Sequence, residues 1–168
     1  MPPITTIARQ MFDICLLRCA PQHLPYSWEL LGLTLIVSVG LAYPAMQVLE
    51  PTPNPLSKLL VGLLFTLGLT YGILAIRGLK VRFVQTASAL FGTDAIITLV
   101  AFPVLYAADA ASAQDTFARL ALTGLGIWNL LVMGHILRHA LSLPLPGGIL
   151  VALGYVFGSL WVSQLVQG

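Results

Sequence analysis

The sequence predicts an all-α membrane protein, a bundle of five transmembrane helices preceded by an N-terminal amphipathic helix that lies in the membrane interface. Apolar residues make up 58% of the chain and charged residues only 8%. Soluble domains contain about 45–50% apolar residues and about 25% charged residues. The apolar residues are gathered into five runs, and each run reaches the roughly 20 residues that an α-helix needs to cross the hydrocarbon layer. Lipid rather than water must therefore surround most of these 168 residues.

The N-terminal segment, residues 1–26, is the longest part of the chain outside the predicted spans. Apolar residues recur at helical spacing between Pro3 and Cys19, which predicts an amphipathic helix in the cytoplasmic interface. Charged residues such as Arg9 interrupt the apolar run, so the segment is not expected to be a cleaved signal peptide. Pro21 should stop the helix and turn the chain towards the first span.

Residues 27–168 form the predicted five-helix transmembrane domain. Its spans are expected at about residues 27–49, 56–76, 83–107, 117–137 and 147–166. Because only about nine residues join the third and fourth spans, these two should be antiparallel neighbours in the bundle.

The basic residues predict the orientation of the chain in the membrane. Six of the eight basic residues lie in the N-terminal segment or after spans two and four. The other two basic residues lie after spans one and three. The positive-inside rule then places the N-terminus in the cytoplasm and the C-terminus outside. The membrane is expected to be of the bacterial cytoplasmic (inner) type. The residues expected to anchor the helices at the interface are Tyr26, Trp28, Arg77, Lys80, Arg82 and Arg138.

An acidic residue in the middle of the third span is the main candidate for a functional group. Asp94 lies eleven residues into that span, which is roughly 16 Å deep. A carboxyl group there costs about 2.5–3.5 kcal/mol, so it should face the bundle and have a partner. Asn129 reaches the same depth from the fourth span and is the predicted partner; the hydroxyl residues near this level in the other spans are Ser38, Thr66 and Ser159. The pair predicts either a proton or ion relay or binding site, or a structural hydrogen bond that sets the helix register.

Small residues at helical spacing mark two further spans. Gly68 and Gly72 lie four apart in the second span, and Gly154 and Gly158 lie four apart in the fifth. Such residues let helix backbones approach closely in lipid. They predict either packing within one bundle or an interface with a partner, which includes a second copy of this chain.

The sequence predicts no catalytic residues, no metal ligands and no cofactor. Cys15, Cys19 and His23 recur every four residues but lack ligands from a second element, and both thiols are expected to be reduced. His135 and His139 lie four apart in the fourth span, but no other span carries a histidine that could bind haem from the opposite side. They are instead expected to extend to the lipid headgroups. The net charge of +2 does not suggest binding to nucleic acid.

Residues 128–152 carry a resemblance to a known family. Trp128, Gly134 and Ala152 match a pattern in the fourth-to-fifth-span region of the Yip family, and residues 83–87 are similar to the opening of its third span. That family comprises small five-span membrane proteins of bacteria and of eukaryotic secretory membranes. The resemblance implies a five-helix bundle with a scaffold or accessory role and supplies no catalytic residues.

Two functions are expected on these grounds. The first is a non-enzymatic accessory or scaffold subunit that docks to a larger membrane protein complex, with membrane lipids and other integral membrane proteins as partners. The second is a small transporter or a protein that conducts protons or ions through Asp94, acting as a homodimer if more than five spans are needed.

Overall fold

The computed structural model describes residues 3–49, 54–110 and 116–167, and it leaves out the side chains of residues 108–110 and 165–167. Within these residues the chain is helical and forms no strand. The six helices are α1 (Ile4–Cys15), α2 (Trp28–Leu49), α3 (Pro55–Ile76), α4 (Phe83–Ala110), α5 (Thr116–Leu141) and α6 (Leu145–Gln167). Single 3-10 turns occur at Pro21–His23 and Lys80–Arg82.

The predicted fold class is confirmed: five of the described helices, α2 to α6, are long and apolar enough to cross a membrane. The chain is therefore an integral membrane protein with several spans. Helices α4 and α5 are longer than expected; α5 continues for one further turn, from residue 137 to Leu141. One end of the bundle, which we call the α1 end, contains the first residues of α2, α4 and α6. The last residues of α3 and α5 lie at this same end.

The five spans are arranged as a ring in which α2, α4, α5, α6 and α3 follow one another, and α3 closes the ring against α2. Helix α4 also contacts α3 and α1 and is the most buried of the spans. Ser27 caps α2, because its side-chain oxygen accepts a hydrogen bond of 3.2 Å from the backbone N–H of Leu30. Pro55 occupies the first position of α3, where its missing N–H costs nothing.

Three helices end in the same way. In α1, α3 and α5 the residue after the cap has a positive φ: Leu17 at 62°, Gly78 at 70° and Ser142 at 54°. In each case the next N–H bonds back to a carbonyl five residues earlier, as from Leu79 to Leu74 at 2.7 Å. This Schellman arrangement satisfies the last carbonyls of the helix. It ends α1 at Cys15, so the expected helix through Cys19 is wrong by one turn.

Helix α1 does not lie flat beneath the bundle. Its buried side chains Met11, Ile14 and Cys15 pack into the groove beside α4 and α5, and a Cβ atom placed on Gly92 would meet the Met11 sulfur at 2.7 Å. Because Gly92 lies nine residues into α4, this contact is about 14 Å along that span. The position differs from the interfacial one expected from the sequence, since glycine leaves room for α1 deeper in the bundle.

Helix packing uses other glycines than those expected. A Cβ atom on Gly68, Gly72 or Gly154 would have no neighbouring atom within 4 Å, so these residues do not pack against another described helix of this chain. Of the four, only Gly158 does so, because its Cβ atom would meet the ring of Phe65 on α3 at 2.6 Å. The closest approach is between α5 and α6, where a Cβ atom on Gly148 would collide with the Gly134 carbonyl oxygen.

Candidate functional site: a polar cavity around Asp94

Asp94 faces the inside of the bundle. Its carboxyl oxygen Oδ2 accepts a hydrogen bond of 2.8 Å from the hydroxyl of Ser38 on α2. Helices α2 and α4 are closely packed neighbours, so this bond links two helices that are already in register at this depth. The hydrogen-bonding partner is thus one of the hydroxyl residues that the sequence places at the level of Asp94.

Asn129 approaches the same carboxyl group from α5 and interacts with it through its side chain. Asp94 is therefore held between a hydroxyl on α2 and an amide on α5. The structure brings the expected pair together and adds Ser38, which binds with the clearest geometry. Ser38 carries no distinguishing signal beyond its depth, because serine is common on the packed faces of membrane helices.

A cavity of about 240 Å³ lies beside this carboxyl group, between α2, α3, α4, α5 and α6. We call it the central cavity. Its polar lining residues are Ser38, Lys58, Thr66, Thr93, Asp94, Asn129 and Ser159. Its wall is otherwise apolar, with side chains such as Phe91 and Met133. A space of this size holds several water molecules, since each occupies about 30 Å³ in the liquid.

The central cavity extends from the middle of the bundle away from the α1 end. Asp94 and Ser38 lie ten to eleven residues from the α1 end of their helices, whereas Met46 and Lys58 lie eighteen residues from it. At 1.5 Å per residue, the part of the cavity between Asp94 and Lys58 covers roughly 12 Å of helix, from mid-depth to near the opposite end. Towards the α1 end, the buried side chains of Leu31, Ala87 and Phe91 pack together between α2 and α4.

Among the residues that the structure describes, no charged group neutralises Asp94. Its interactions are with the neutral side chains of Ser38 and Asn129, and none of the described basic residues lies within ion-pair distance of it. Lys58 lines the same cavity but does so near the opposite end. An ionised Asp94 would thus be a lone charge in the interior, and such a charge must gain either a proton or a cation.

A second polar region lies at the α1 end and was not expected from the sequence. Here the last carbonyls of α5 receive donors from three other segments: Gln22 donates to His139 at 2.6 Å, Arg77 to Leu141 at 3.2 Å, and Arg82 to Ala140 at 3.1 Å. Positive side chains at a helix C-terminus also offset its partial negative charge. These two arginines therefore bind the protein itself, in addition to any role as interface anchors.

The other predicted anchors lie at this same end. Tyr26 and Trp28 are exposed, with 59% and 61% of their surface accessible, as expected for aromatic side chains in contact with headgroups. Lys80 lies 6.0 Å from the centre of the Tyr71 ring. Arg138 is partly buried, and its Nε has no hydrogen-bond partner in the described part of the protein.

One of the two histidines of α5, His135, differs from expectation. His135 is 3% exposed and its Nε2 lies 3.0 Å from the backbone oxygen of Cys19, so it holds the N-terminal segment to α5 rather than extending to headgroups. Its ring contacts that of His139 edge-on at 4.6 Å. No group of three or more His, Cys, Asp or Glu side chains among the described residues is placed to hold a metal ion.

The two cysteines are free thiols in different surroundings. Cys15 is fully buried at the end of α1, and burial raises the pKa of its thiol to about 11. Its backbone oxygen accepts a hydrogen bond of 2.9 Å from the indole of Trp128. Cys19 is less buried and lies 3.3 Å from Nδ1 of His23; burial and then the nearby Asp13 raise the pKa of its thiol.

Comparisons with known proteins add no relative: no model of a protein family, no curated protein and no solved structure matches the chain. The similarity of residues 128–152 to the Yip family therefore stays a prediction. The function has to be argued from the central cavity and from the surfaces of the helices.

Proposed function

We propose that this protein is a non-enzymatic membrane protein that binds a proton or small cation at Asp94 and conducts it across the bilayer. The observation that supports this most directly is an acidic side chain without a described countercharge at the inner end of a polar cavity. Acidic residues inside a membrane span are costly and are found where ions or protons are handled. The cavity supplies access from one side to mid-depth.

Conduction also needs a connection to the α1 end. The barrier is the layer of Leu31, Ala87 and Phe91 between Asp94 and that end. Ser38 and Asn129 contact the carboxyl group from α2 and from α5, and both can keep it oriented while the layer rearranges. A barrier that opens only in a minor conformation gives slow, gated transport rather than a permanent channel.

The test is a flux measurement on the purified protein in lipid vesicles. A pH or cation gradient should decay faster in vesicles with the wild-type protein than in empty vesicles, and Asp94→Asn should abolish the difference. Glu29→Gln is the matched control, because Glu29 is an exposed acidic residue at the start of α2. Full activity of Asp94→Asn, or no activity of the wild type, would contradict the proposal.

A second function is favoured by a separate observation. Gly68, Gly72 and Gly154 leave open strips on the outer faces of α3 and α6, and small residues of this kind are typical of contacts between membrane helices. The protein would then be an accessory or scaffold subunit of a larger membrane complex, as the resemblance to the Yip family implies. Membrane lipids, other integral membrane proteins or a second copy of the chain are the candidate partners.

Purification from native membranes in mild detergent tests this second function. A companion protein in constant ratio, lost when Gly68 and Gly154 are both changed to Leu, would support it. A protein that elutes alone and as a monomer would contradict it. We place the protein in a bacterial cytoplasmic membrane with its α1 end inside, since Arg77, Lys80, Arg82 and Arg138 all lie at that end.

A further inference from the structure

Three of the four hydroxyl groups that line the central cavity, all except that of Thr66, have already used their protons. Ser38 donates to Asp94 at 2.8 Å, Thr93 donates to the Ala89 carbonyl at 2.8 Å, and Ser159 donates to the Val156 carbonyl at 2.9 Å. A hydroxyl has only one proton to donate but two lone pairs. What these three side chains can still offer to a ligand in the cavity is therefore oxygen lone pairs.

The Asp94 carboxyl group and the Asn129 amide also offer oxygen acceptors at mid-depth. If the Asn129 amide N–H donates to the Asp94 carboxylate, the amide oxygen of Asn129 is left as an acceptor. The carboxylate oxygen Oδ2 of Asp94 accepts the hydrogen bond from Ser38, whereas the other oxygen, Oδ1, accepts none from that hydroxyl. The inner part of the cavity thus combines oxygen acceptors with a single negative charge. Oxygen ligands of this type suit hard cations such as the alkali metals.

We infer that the central cavity binds one monovalent alkali cation, with an ionised Asp94 as its countercharge and the oxygens of Ser38, Asn129 and Ser159 as further ligands or water-bridged contacts. This inference rests on the proposed function, because it takes the cavity to be the ligand site. One carboxylate balances one positive charge, and a divalent ion would keep an excess charge in a low-dielectric interior. The size of the cavity, about 240 Å³, leaves room for a cation that keeps part of its hydration shell.

The experiment is a thermal unfolding series on the detergent-purified protein in LiCl, NaCl and KCl, with choline chloride of equal ionic strength as reference. A cation that binds only the folded protein raises the Tm with its concentration, by roughly 5–10 °C at one hundred times the Kd. Asp94→Asn should remove the rise, and Ser38→Ala should shift it to higher concentration. Glu29→Gln should leave it unchanged.

The inference is overturned if the Tm responds equally to choline and to all three alkali ions, or if Asp94→Asn keeps the full response. The flux measurement separates this result from the proposed function. An alkali-specific rise in Tm without flux supports the cation site and contradicts conduction. Proton flux that needs Asp94, together with no alkali-specific change in Tm, supports conduction and overturns the cation site.

Discussion

At the α1 end of the bundle, side chains bond to the backbone of neighbouring segments, whereas the half beyond Asp94 contains most of the polar central cavity. Gln85 donates to the carbonyls of Gln22 and Leu24, at 3.1 and 2.6 Å, and Arg82 donates to three acceptors at the end of α5. In the other half, the central cavity and a second cavity of about 180 Å³ share one lining residue, Asn129.

The direction of two helices explains the bonds at the α1 end. Helices α3 and α5 finish at the α1 end, and each exposes carbonyl groups there that need donors. The arginines, the glutamines and the N–H groups of the Schellman turns supply them. At the opposite end α3 begins with Asn54 and Pro55, and the Asn54 side chain makes no capping hydrogen bond.

The bonds at the α1 end join α5 to the N-terminal segment and to the residues that follow α3. We call this bonded end the base. Helix α3 packs less extensively against α2 than α4 does.

The strongest test of the base is a single methyl group at the α5–α6 crossing. Gly148→Ala would place a Cβ atom against the Gly134 carbonyl and within 2.6 Å of the Arg138 Cβ. Because both neighbours belong to the packed end of α5, we expect a loss of about 2–3 kcal/mol in the free energy of unfolding. Thermal or denaturant unfolding in detergent measures it.

Gly154→Ala is the matched control on the same helix. No atom lies within 4 Å of its added methyl group, and alanine is the better helix former by about 0.5–1 kcal/mol. This variant should be as stable as the wild type or slightly more so. Equal losses in both variants would show that the crossing is no more tightly packed than the outer face, and the comparison of the two halves would fail.

The next test removes the side chain that donates most often to α5. Arg82→Gln loses donors to His139, Ala140 and Ser142, and we expect a cost of about 1–2 kcal/mol because the site is partly exposed. Lys80→Gln, two residues earlier, removes an equal charge whose one described contact is the Tyr71 ring at 6.0 Å. It should cost less than about 0.5 kcal/mol. A similar cost for both would mean that charge, not hydrogen bonding, stabilises this end.

The level of polar residues in the spans could be predicted from the sequence because depth depends only on residue counts. Counting placed Asp94 and Asn129 at one level, and in the structure both lie at the inner part of one cavity. Counting does not tell which side of each helix faces inwards. For this reason Ser38 could not be distinguished from Thr66 as the direct partner, although both line the same cavity.

The glycines also show that residue spacing does not tell which side of a helix faces inwards. Gly68, Gly72 and Gly154 have the spacing of a helix contact, but they lie on faces that the described part of the chain does not cover. Gly92, Gly134 and Gly148 allow the close contacts instead, and none of them forms a pair with four-residue spacing. The depth of α1 also depends on one of them, since Gly92 opens the space that Met11 fills, and no local pattern in the N-terminal segment reports that.

The smallest expected effect concerns the docking of α1, which joins the N-terminal segment to the base. Cys15 lies at the centre of that contact, and its pKa of about 11 leaves about 0.1% of the thiol ionised at pH 8, because the fraction falls tenfold for each unit below the pKa. In a Cys19→Ser background, the labelling rate of Cys15 by a small maleimide should rise about tenfold per pH unit from pH 8 to pH 10. A thiol with the ordinary pKa of about 8.5 would level off near pH 9.

Trp128→Phe sharpens this measurement, because it removes the indole N–H that bonds to the Cys15 carbonyl while keeping an aromatic ring. Losing one neutral hydrogen bond costs about 1 kcal/mol, so the open form of α1 should become about fivefold more populated and Cys15 should label about fivefold faster at each pH. The pH dependence should keep its slope, since the buried state of the thiol is unchanged. If the rate does not change, local opening of α1 does not limit labelling, and α1 would not be held to the base by this bond.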